Sequence, residues 1–514
     1  MDDPVTADAV ASWSQEELVA FVVALSQRVV ALEAENAQLR AENAQLRAEN
    51  EALRAENEAL RAQVAALRVE AGKNSGNSSM PPSRDPAAER KRQAEERAAK
   101  KQRAAGGKRR RAGGQPGSAG KTLALSDTPD VVVDHAPAAC AGCGADLAQA
   151  AVSGHQRRQV IDLPVTAPEV TEHRAQTRVC ACCGVATTAA FPDTVRAPVS
   201  YGPRVRAVVT YLLARQHIPV ERCAEAMRDL FGVHISTGAV DAIYTDAARR
   251  LRRFITALVA LLRTLKVVHA DETTDRVGTT TCWMHVVSTN LYTLIHASVT
   301  RGTDAVREAG VLIGYTGVVI HDRLALYWKL KWAKHGTCGA HLLRDLAAVA
   351  QVATQTAWAA GLAGLLVEIN AACDHARARG HRALAPNRQR DFTARYDHLV
   401  AAGLAANPDP AGRKRDSLQR QSHNLAVAFH THKTAILRYM RDLDVAFTNN
   451  QAERDLRPVK LHRKISSCFR SQAGAERFAH VRSYLSTTRK HDIPAIDALV
   501  RLFNNDPWMP PQAA

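Results

Sequence analysis

Leu18, Leu25, Leu32, Leu39, Leu46, Leu53, Leu60 and Leu67 recur at intervals of seven residues. A strict seven-residue repeat puts all eight leucines on one stripe of one long helix, position d of a heptad. The a positions read Val22, Val29, Asn36, Asn43, Asn50, Asn57 and Val64. Asparagine at a lowers stability but favours a paired, in-register partner, because its amide bonds to the matching amide. Glu35, Glu42, Glu49 and Glu56 occupy g, and Arg40, Arg47, Arg54 and Arg61 occupy e. In a parallel dimer each g glutamate faces the e arginine five residues later on the partner, as in Glu35 with Arg40. A coiled coil over residues 14–70 is therefore expected, associating the chain into a homodimer or higher. The competing reading is a single solvated helix held by i,i+4 pairs, since four consecutive a positions are polar.

The full 514 residues exceed one ordinary core, so roughly three or four units are expected. The net charge of +17 favours a polyanionic partner, with nucleic acid set against acidic membranes. Glu89 to Arg111 alone carries eleven Lys/Arg against three Glu. Within a Pro/Gly-containing linker, residues 71–125, this tract reads as a solvated face, or as a source of salt-sensitive phosphate contacts if DNA is near. The longest apolar candidate, Phe254 to Val268, is broken by Arg263 and Lys266, and Met-Asp-Asp-Pro opens the chain without a basic region ahead of an apolar run. No membrane partner and no secretory signal are expected.

Ten cysteines in so long a chain do not make a disulfide framework. Four of them form Cys140-x-x-Cys143-Gly144 and Cys180-x-x-Cys183-Gly184. Two thiolates on a tight turn make one edge of a tetrahedral zinc site, and two such knuckles supply four ligands. A zinc-binding module over residues 126–200 is expected, with structural Zn²⁺ on Cys140, Cys143, Cys180 and Cys183; Cys182 is a spare thiol that could compete.

Residues 201–262 read as a helical unit. Val205 to Arg215 and Val220 to Phe231 are apolar-periodic, Gly232 ends the second, and Ser236-Thr237 caps a third from Ala239 to Leu251. This resembles a helix-turn-helix, with an ordinary helical bundle as the competing reading. From Leu265 the periodicity changes. Leu265–Ala270, Cys282–Val287, Tyr292–Ala297 and Gly317–His321 read as short strands, with a helix over Thr303–Ile313. Asp271 and Asp322 stand at the ends of the first and last. Strand, hairpin, helix, strand brings two such aspartates side by side in an RNase H-like sheet. Paired carboxylates repel unless a cation neutralises them, and hard oxygen ligands select Mg²⁺ or Mn²⁺. Glu453 is the candidate third carboxylate, on a helix capped by Asn449 or Asn450, with Arg457 and Lys460 on its face at i+4 and i+7. Taken singly, a strand-end aspartate also reads as a turn residue, and Glu453 with Arg457 as a surface salt bridge.

Several segments together carry a resemblance. They are Lys73-Asn74-Ser75 through Pro81-Pro82-Ser83, Gly113-Gly114-Gln115-Pro116-Gly117, the double Cys-x-x-Cys and His269-Ala270-Asp271-Glu272-Thr273. Cys338-Gly339-Ala340-His341-Leu342-Leu343-Arg344, Asn449-Asn450-Gln451-Ala452-Glu453-Arg454, Arg463-Lys464 and Gly474-Ala475-Glu476-Arg477 complete the set. The chain resembles DDE transposases of the insertion-sequence 66 family over nearly its whole length. The resemblance implies a multidomain α and α/β protein: coiled coil, zinc-knuckle module, helix-turn-helix-like helical domain and an RNase H-like catalytic domain with a helical insertion. The catalytic domain would occupy residues 263–344 and 441–505 and the insertion residues 345–440. Asp271, Asp322 and Glu453 would be the catalytic residues and would hold two Mg²⁺ or Mn²⁺ ions. Arg454, Arg457, Lys460, Arg463 and Lys464 are candidates for the DNA backbone, against plain solvated charges. Expected partners are double-stranded DNA, both element ends and target, and possible accessory transposition proteins; the expected location is a bacterial cytoplasm, at the nucleoid.

The family often has Gly-Tyr after the second aspartate, where this chain has Arg323-Leu324. Glu272 and Asp275 compete with Asp271 as ligand, and Cys338 and His341 read as packing and positioning residues. The rival functions are a DNA-binding regulator with an inactive nuclease fold, and a nuclease that cuts without joining.

Overall fold

In the computed structural model the described residues are 13–71, 91–92, 94–96, 123–164, 167–192, 195, 197–351, 355–409 and 418–512. The segments Lys73–Ser83 and Gly113–Gly117 and all but a few residues of the basic tract Glu89–Arg111 lie outside them, as do the side chains of Asn57, Leu60, Arg61, Val64 and Leu67.

The heptad segment forms one continuous helix, α1 (Gln15–Ala71). Leu25, Leu32, Leu39, Leu46 and Leu53 are each about half exposed along it. The Asn43 and Asn50 amides turn back to the carbonyl oxygens of Leu39 and Leu46, each at 3.0 Å. Two short strands, β1 (Thr177–Val179) and β2 (Ala186–Thr188), pair antiparallel around the second cysteine knuckle.

Four helices follow: α2 (Pro203–Ala214), α3 (Val220–Phe231), α4 (Thr237–Arg250) and α5 (Arg252–Thr264). Gly232 ends α3 at φ +64, a left-handed conformation open to a residue without Cβ. Ser236 caps α4, accepting the Ala239 N–H at 3.2 Å. Part of the polar face of α4 is already engaged, because Arg477 donates to Asp241 and Thr245.

The sheet has five strands in the order β5-β4-β3-β6-β7. β3 (Val267–Val277), β4 (Thr280–Ser288) and β5 (Thr293–Ser298) form an antiparallel meander. After α6 (Thr303–Ala309), β6 (Val318–His321) adds parallel to β3, and β7 (Lys334–Thr337) parallel to β6. β3 does not end at Asp271 as the sequence suggests. Its hairpin with β4, turned at Gly278 with φ +56, keeps it extended to Val277. Helix α6 stops short of Ile313 because Gly310 takes φ +76. β7 escapes sequence reading because Lys334-His335-Gly336-Thr337 has no apolar alternation.

Six helices among the described residues then lie between β7 and the last part of the chain: α7 (Gly339–Val349), α8 (Thr356–Ala378), α9 (Pro386–Ala406), α10 (Leu418–Thr431), α11 (Lys433–Ile436) and α12 (Arg438–Arg441). Among the described residues, α8 alone is long and apolar enough to cross a membrane. Its Trp358, Leu362, Leu366 and Ile369 are instead buried against Tyr396, Phe429 and Tyr439 in a core that reaches Val318 and Ile320 of β6. The chain closes with α13 (Asn450–Ser466), α14 (Gln472–Lys490) and α15 (Ala495–Phe503). α13 packs on β3 and β4, burying Leu456 and Val459 with Met284 and Val286. α14 lies along β5, where Ser483 and Thr487 accept the N–H groups of Ile295 and Thr293. A larger core joins α2–α5, α14 and α15 to Val268 and Val319 of the sheet.

Candidate active site

The pairing of β3 with β6 fixes two carboxylates. Val267 faces Val318, Val268 faces Val319 and His269 faces Ile320, and the same offset carried two positions on runs to Asp271 and to Asp322, one residue past the end of β6. β6 leaves the sheet at that point. Arg323 adopts φ +75, and the Leu324 N–H bonds back to Asp322 Oδ1 at 2.9 Å. A residue without Cβ reaches this backbone conformation without strain. Here the cost falls on an arginine whose guanidinium pairs with Asp345.

Asp271 is largely buried, and its carboxyl is pushed up to about 7. Burial is the main cause; the charges of Glu272, Asp322 and Glu453 add to it, and the Glu272 N–H opposes it. The charges of Asp322 and Glu453 thus reach Asp271, although the oxygens of the three expected carboxylates do not fall within 4.8 Å of one another as a group. Glu272 is occupied elsewhere. It is 1% exposed at its side chain, accepts from Arg301 at 2.7 Å and from the Tyr327 hydroxyl at 2.7 Å. Asp275 is buried further along β3, with His462 Nδ1 3.8 Å from its Oδ2.

Glu453 stands in the first turn of α13. The neighbour it has is not Arg457 but His341, whose Nδ1 lies 3.9 Å from Glu453 Oε1. The position of that turn depends on Asn449. It occupies the cap position, yet its side chain does not cap the helix. Its amide instead donates to the Ala270 carbonyl oxygen at 2.8 Å, and its Oδ1 lies 3.0 Å from His269 Nδ1. Its own N–H donates to Cys338 Sγ at 3.2 Å. Gly339 makes this approach possible, since a Cβ there would sit 2.2 Å from the Phe447 ring. Cys338, a nitrogen of His341 and Glu453 all offer ligand atoms within 4.8 Å of one another, an arrangement able to hold a metal ion as well as to position Glu453. Sequence reading treated Asn449 only as a cap; its link to β3 follows from tertiary contacts that no local pattern carries.

The five expected backbone-contact residues, Arg454, Arg457, Lys460, Arg463 and Lys464, are all exposed on α13. Arg454 donates to Gln451.

The two cysteine knuckles are built alike. Cys140 N–H bonds to Ala145 O and Gly144 N–H to Cys140 O; Cys180 N–H bonds to Val185 O and Gly184 N–H to Cys180 O. Gly144 and Gly184 take φ +74 and +73. The Cys143 N–H, then those of Gly142 and the Cys143 thiol, hold the Cys140 thiol below its usual range. The Cys183 N–H, then that of Cys182 and the Cys183 thiol, do the same for Cys180. Thiols tuned toward thiolate suit Zn²⁺, so the donor set fits the metal. The four sulfurs are not gathered within 4.8 Å, and the two knuckles stand as separate pairs.

Three protein-family models match the chain. The transposase IS66 family covers residues 198–477, more than half of the sequence. The zinc-finger binding domain of transposase IS66 covers residues 137–184, spanning both knuckles and supporting a structural zinc. A family of unknown function covers residues 30–124. No curated protein matches the chain.

Proposed function

The chain belongs to the transposase IS66 family, and from that premise we propose that it cuts an insertion sequence free at its ends and joins those ends to target DNA, with Asp271, Asp322 and Glu453 as the catalytic carboxylates. The observation that carries the reading is the parallel register of β3 and β6, which runs toward Asp271 and Asp322, with the charges of Asp322 and Glu453 acting on the Asp271 carboxyl. The strand order β5-β4-β3-β6-β7, three antiparallel strands followed by two parallel ones, supports an RNase H-like catalytic domain interrupted by α7–α12. An Asp271 carboxyl raised by burial and by neighbouring carboxylates fits a site for a hard divalent cation.

Asp271, Asp322 and Glu453 would hold Mg²⁺ or Mn²⁺, two ions in all. Bound there, such ions supply Lewis-acid activation of the attacking oxygen and stabilisation of the leaving one. In the first step a water oxygen bonds to phosphorus, the bond from phosphorus to the 3′-oxygen breaks, and a free 3′-OH results. In the second, that 3′-OH attacks a target phosphodiester, and a target 3′-OH leaves. No protein nucleophile is required. Asn449 holds α13 against β3 so that Glu453 faces the aspartates, and His341 positions Glu453 from α7. Arg454, Arg457, Lys460, Arg463 and Lys464 contact phosphates of the bound strand. The helical unit α2–α4 is a second DNA-binding element, and α1 pairs two chains so that two ends can be held together.

The test is incubation of the full chain with labelled DNA carrying the element's own ends and Mg²⁺ or Mn²⁺, beside Asp271→Asn and Glu453→Gln. Metal-dependent nicking and joining, lost in both variants while end binding persists, is the expected result. Binding without any cutting by the wild type, even with accessory proteins added, would favour the DNA-binding regulator.

A further inference from the structure

A cavity of about 710 Å³ opens on the flank of α13, between α13, α14, the end of α2 and the β4–β5 turn at Asn290. Its wall carries Arg215, Arg457, Lys460, Lys464, Arg482 and Arg489. Two further cations on the wall are engaged. Arg454 donates to Gln451. Lys490 pairs with Asp455 at 2.7 Å and donates to the carbonyl oxygens of Thr289 and Tyr292. No ion pair balances the other six among the described residues.

Two of the buried side chains bordering this space have polar atoms without a hydrogen-bond partner. Arg482 is 3% exposed, and its Nε and Nη1 make no hydrogen bond. His217 is 2% exposed, and its Nδ1 makes none. Burial of a guanidinium is costly, leaving its N–H groups unpaired adds to the cost, and the one carboxylate on the wall, Asp455, is paired with Lys490 rather than with Arg482. Burial, then the charges of Arg215 and Arg489, pull Arg482 down to about 10. Burial and the charge of Arg482 lower His217 to about 4, leaving it neutral at ordinary pH. His217 is also held at φ +58, a conformation costly for a residue with Cβ, with its carbonyl oxygen accepting the Ser466 hydroxyl at the end of α13. Strain, orphaned donors and unbalanced cations converge on one cavity.

We propose that this cavity is a phosphate-binding site, in which Arg482, Arg215 and Arg489 clasp a phosphate group and His217 completes its hydrogen bonds. It rests on the DNA-processing reading given above and deepens it. The favoured source is a backbone phosphate of a strand lying along α13. A seated phosphate there fixes the register of the strand relative to the carboxylates without reading its sequence. The alternative source of the same chemistry is a free phosphate compound.

The experiment uses the full chain without added Mg²⁺ or Mn²⁺, so that binding is read apart from cleavage. Fluorescence anisotropy of a labelled random-sequence duplex is titrated across salt concentrations for wild type, Arg482→Gln, Arg489→Gln and Arg215→Gln. Arg253→Gln, an exposed charge on α5, controls for net charge. In parallel, thermal melting compares inorganic phosphate with chloride at equal ionic strength. For a DNA phosphate, each cavity variant weakens duplex binding at least about fivefold more than Arg253→Gln and lowers the salt slope by about 1. For a free phosphate compound, inorganic phosphate raises the melting temperature of the wild type but not of the variants, and duplex binding matches the control. Arg489→Gln and Arg215→Gln keep the test valid should Arg482→Gln fail to fold. Duplex binding equal to the control together with no phosphate stabilisation overturns the proposal. Absence of cleavage in the earlier experiment would refute the transposition chemistry while leaving both of these measurements intact.

Discussion

Asn449 donates its side-chain amide to the Ala270 carbonyl oxygen at 2.8 Å, one residue before Asp271 and four before Glu453. A single buried carboxamide thus spans the strand carrying one carboxylate and the helix carrying another. Removing it leaves the Ala270 carbonyl and His269 without their partner, at a cost of about 1–3 kcal/mol. Asn449→Ala is expected to lower the melting temperature modestly and to slow end cleavage at least about tenfold, since small misplacements of reacting groups are expensive. End affinity should stay near the wild-type value. A loss of affinity and cleavage in equal measure would reduce Asn449 to a structural role.

The elevated Asp271 carboxyl predicts a pH-dependent stability. Its pKa is about 7 in the folded chain against an ordinary 3.8, so the folded state holds that proton more tightly than the unfolded one. The resulting stabilisation is complete below the ordinary value and is lost as pH rises through about 7. Asp271→Asn removes the titration. Without divalent cations the variant should melt above the wild type near pH 8, with the gap shrinking toward about pH 5. Added Mg²⁺ should raise the wild type alone. A gap independent of pH would contradict the burial of Asp271 among carboxylates.

Strand and helix locations were legible where local chemistry decides them. Ser236 as a cap, Gly232 as a stop and the run Val318–His321 are each dictated by neighbouring residues. The cysteine knuckles were legible for the same reason. What sequence could not carry was tertiary: the extension of β3 by its hairpin, the strand Lys334–Thr337, and the use of Asn449 to reach β3 rather than to cap α13. The cavity around Arg482 was hidden too. A lone arginine in Phe478–Leu485 reads as one more exposed charge on a helix, and only packing shows it buried.

Arg323 sits at φ +75 directly after Asp322. Glycine would relieve about 1 kcal/mol of backbone strain there, whereas alanine keeps the Cβ, and both lose the ion pair to Asp345 equally. Arg323→Gly should therefore be more stable than Arg323→Ala by about 1 kcal/mol in chemical denaturation. The reverse order would mean that the Asp322 turn is not held left-handed in solution.

The cysteine knuckles should hold about one zinc per chain by metal analysis. Cys143→Ser or Cys183→Ser should release it. The cores that bury Phe254, Met284 and Tyr396 lie outside this segment, so the main thermal transition should move little. Zinc retained at wild-type level in both variants would place the metal elsewhere, with Cys338 and His341 the first residues to examine.

The exposed row Leu25, Leu32, Leu39, Leu46 and Leu53 on α1 predicts self-association. Apolar side chains half open to water along one stripe gain free energy when a second stripe covers them, and the g glutamates and e arginines then pair across the seam. Leu39→Lys with Leu46→Lys puts like charges at the middle of that seam, and sedimentation should show the assembly falling to a monomer. Glu42→Arg with Glu49→Arg sets arginine against arginine across the same seam and should weaken association less, in a salt-dependent way. A monomeric wild type at micromolar concentration would instead mean that α1 is a solvated single helix, held by contacts such as Gln38 to Glu42 and Gln45 to Glu49.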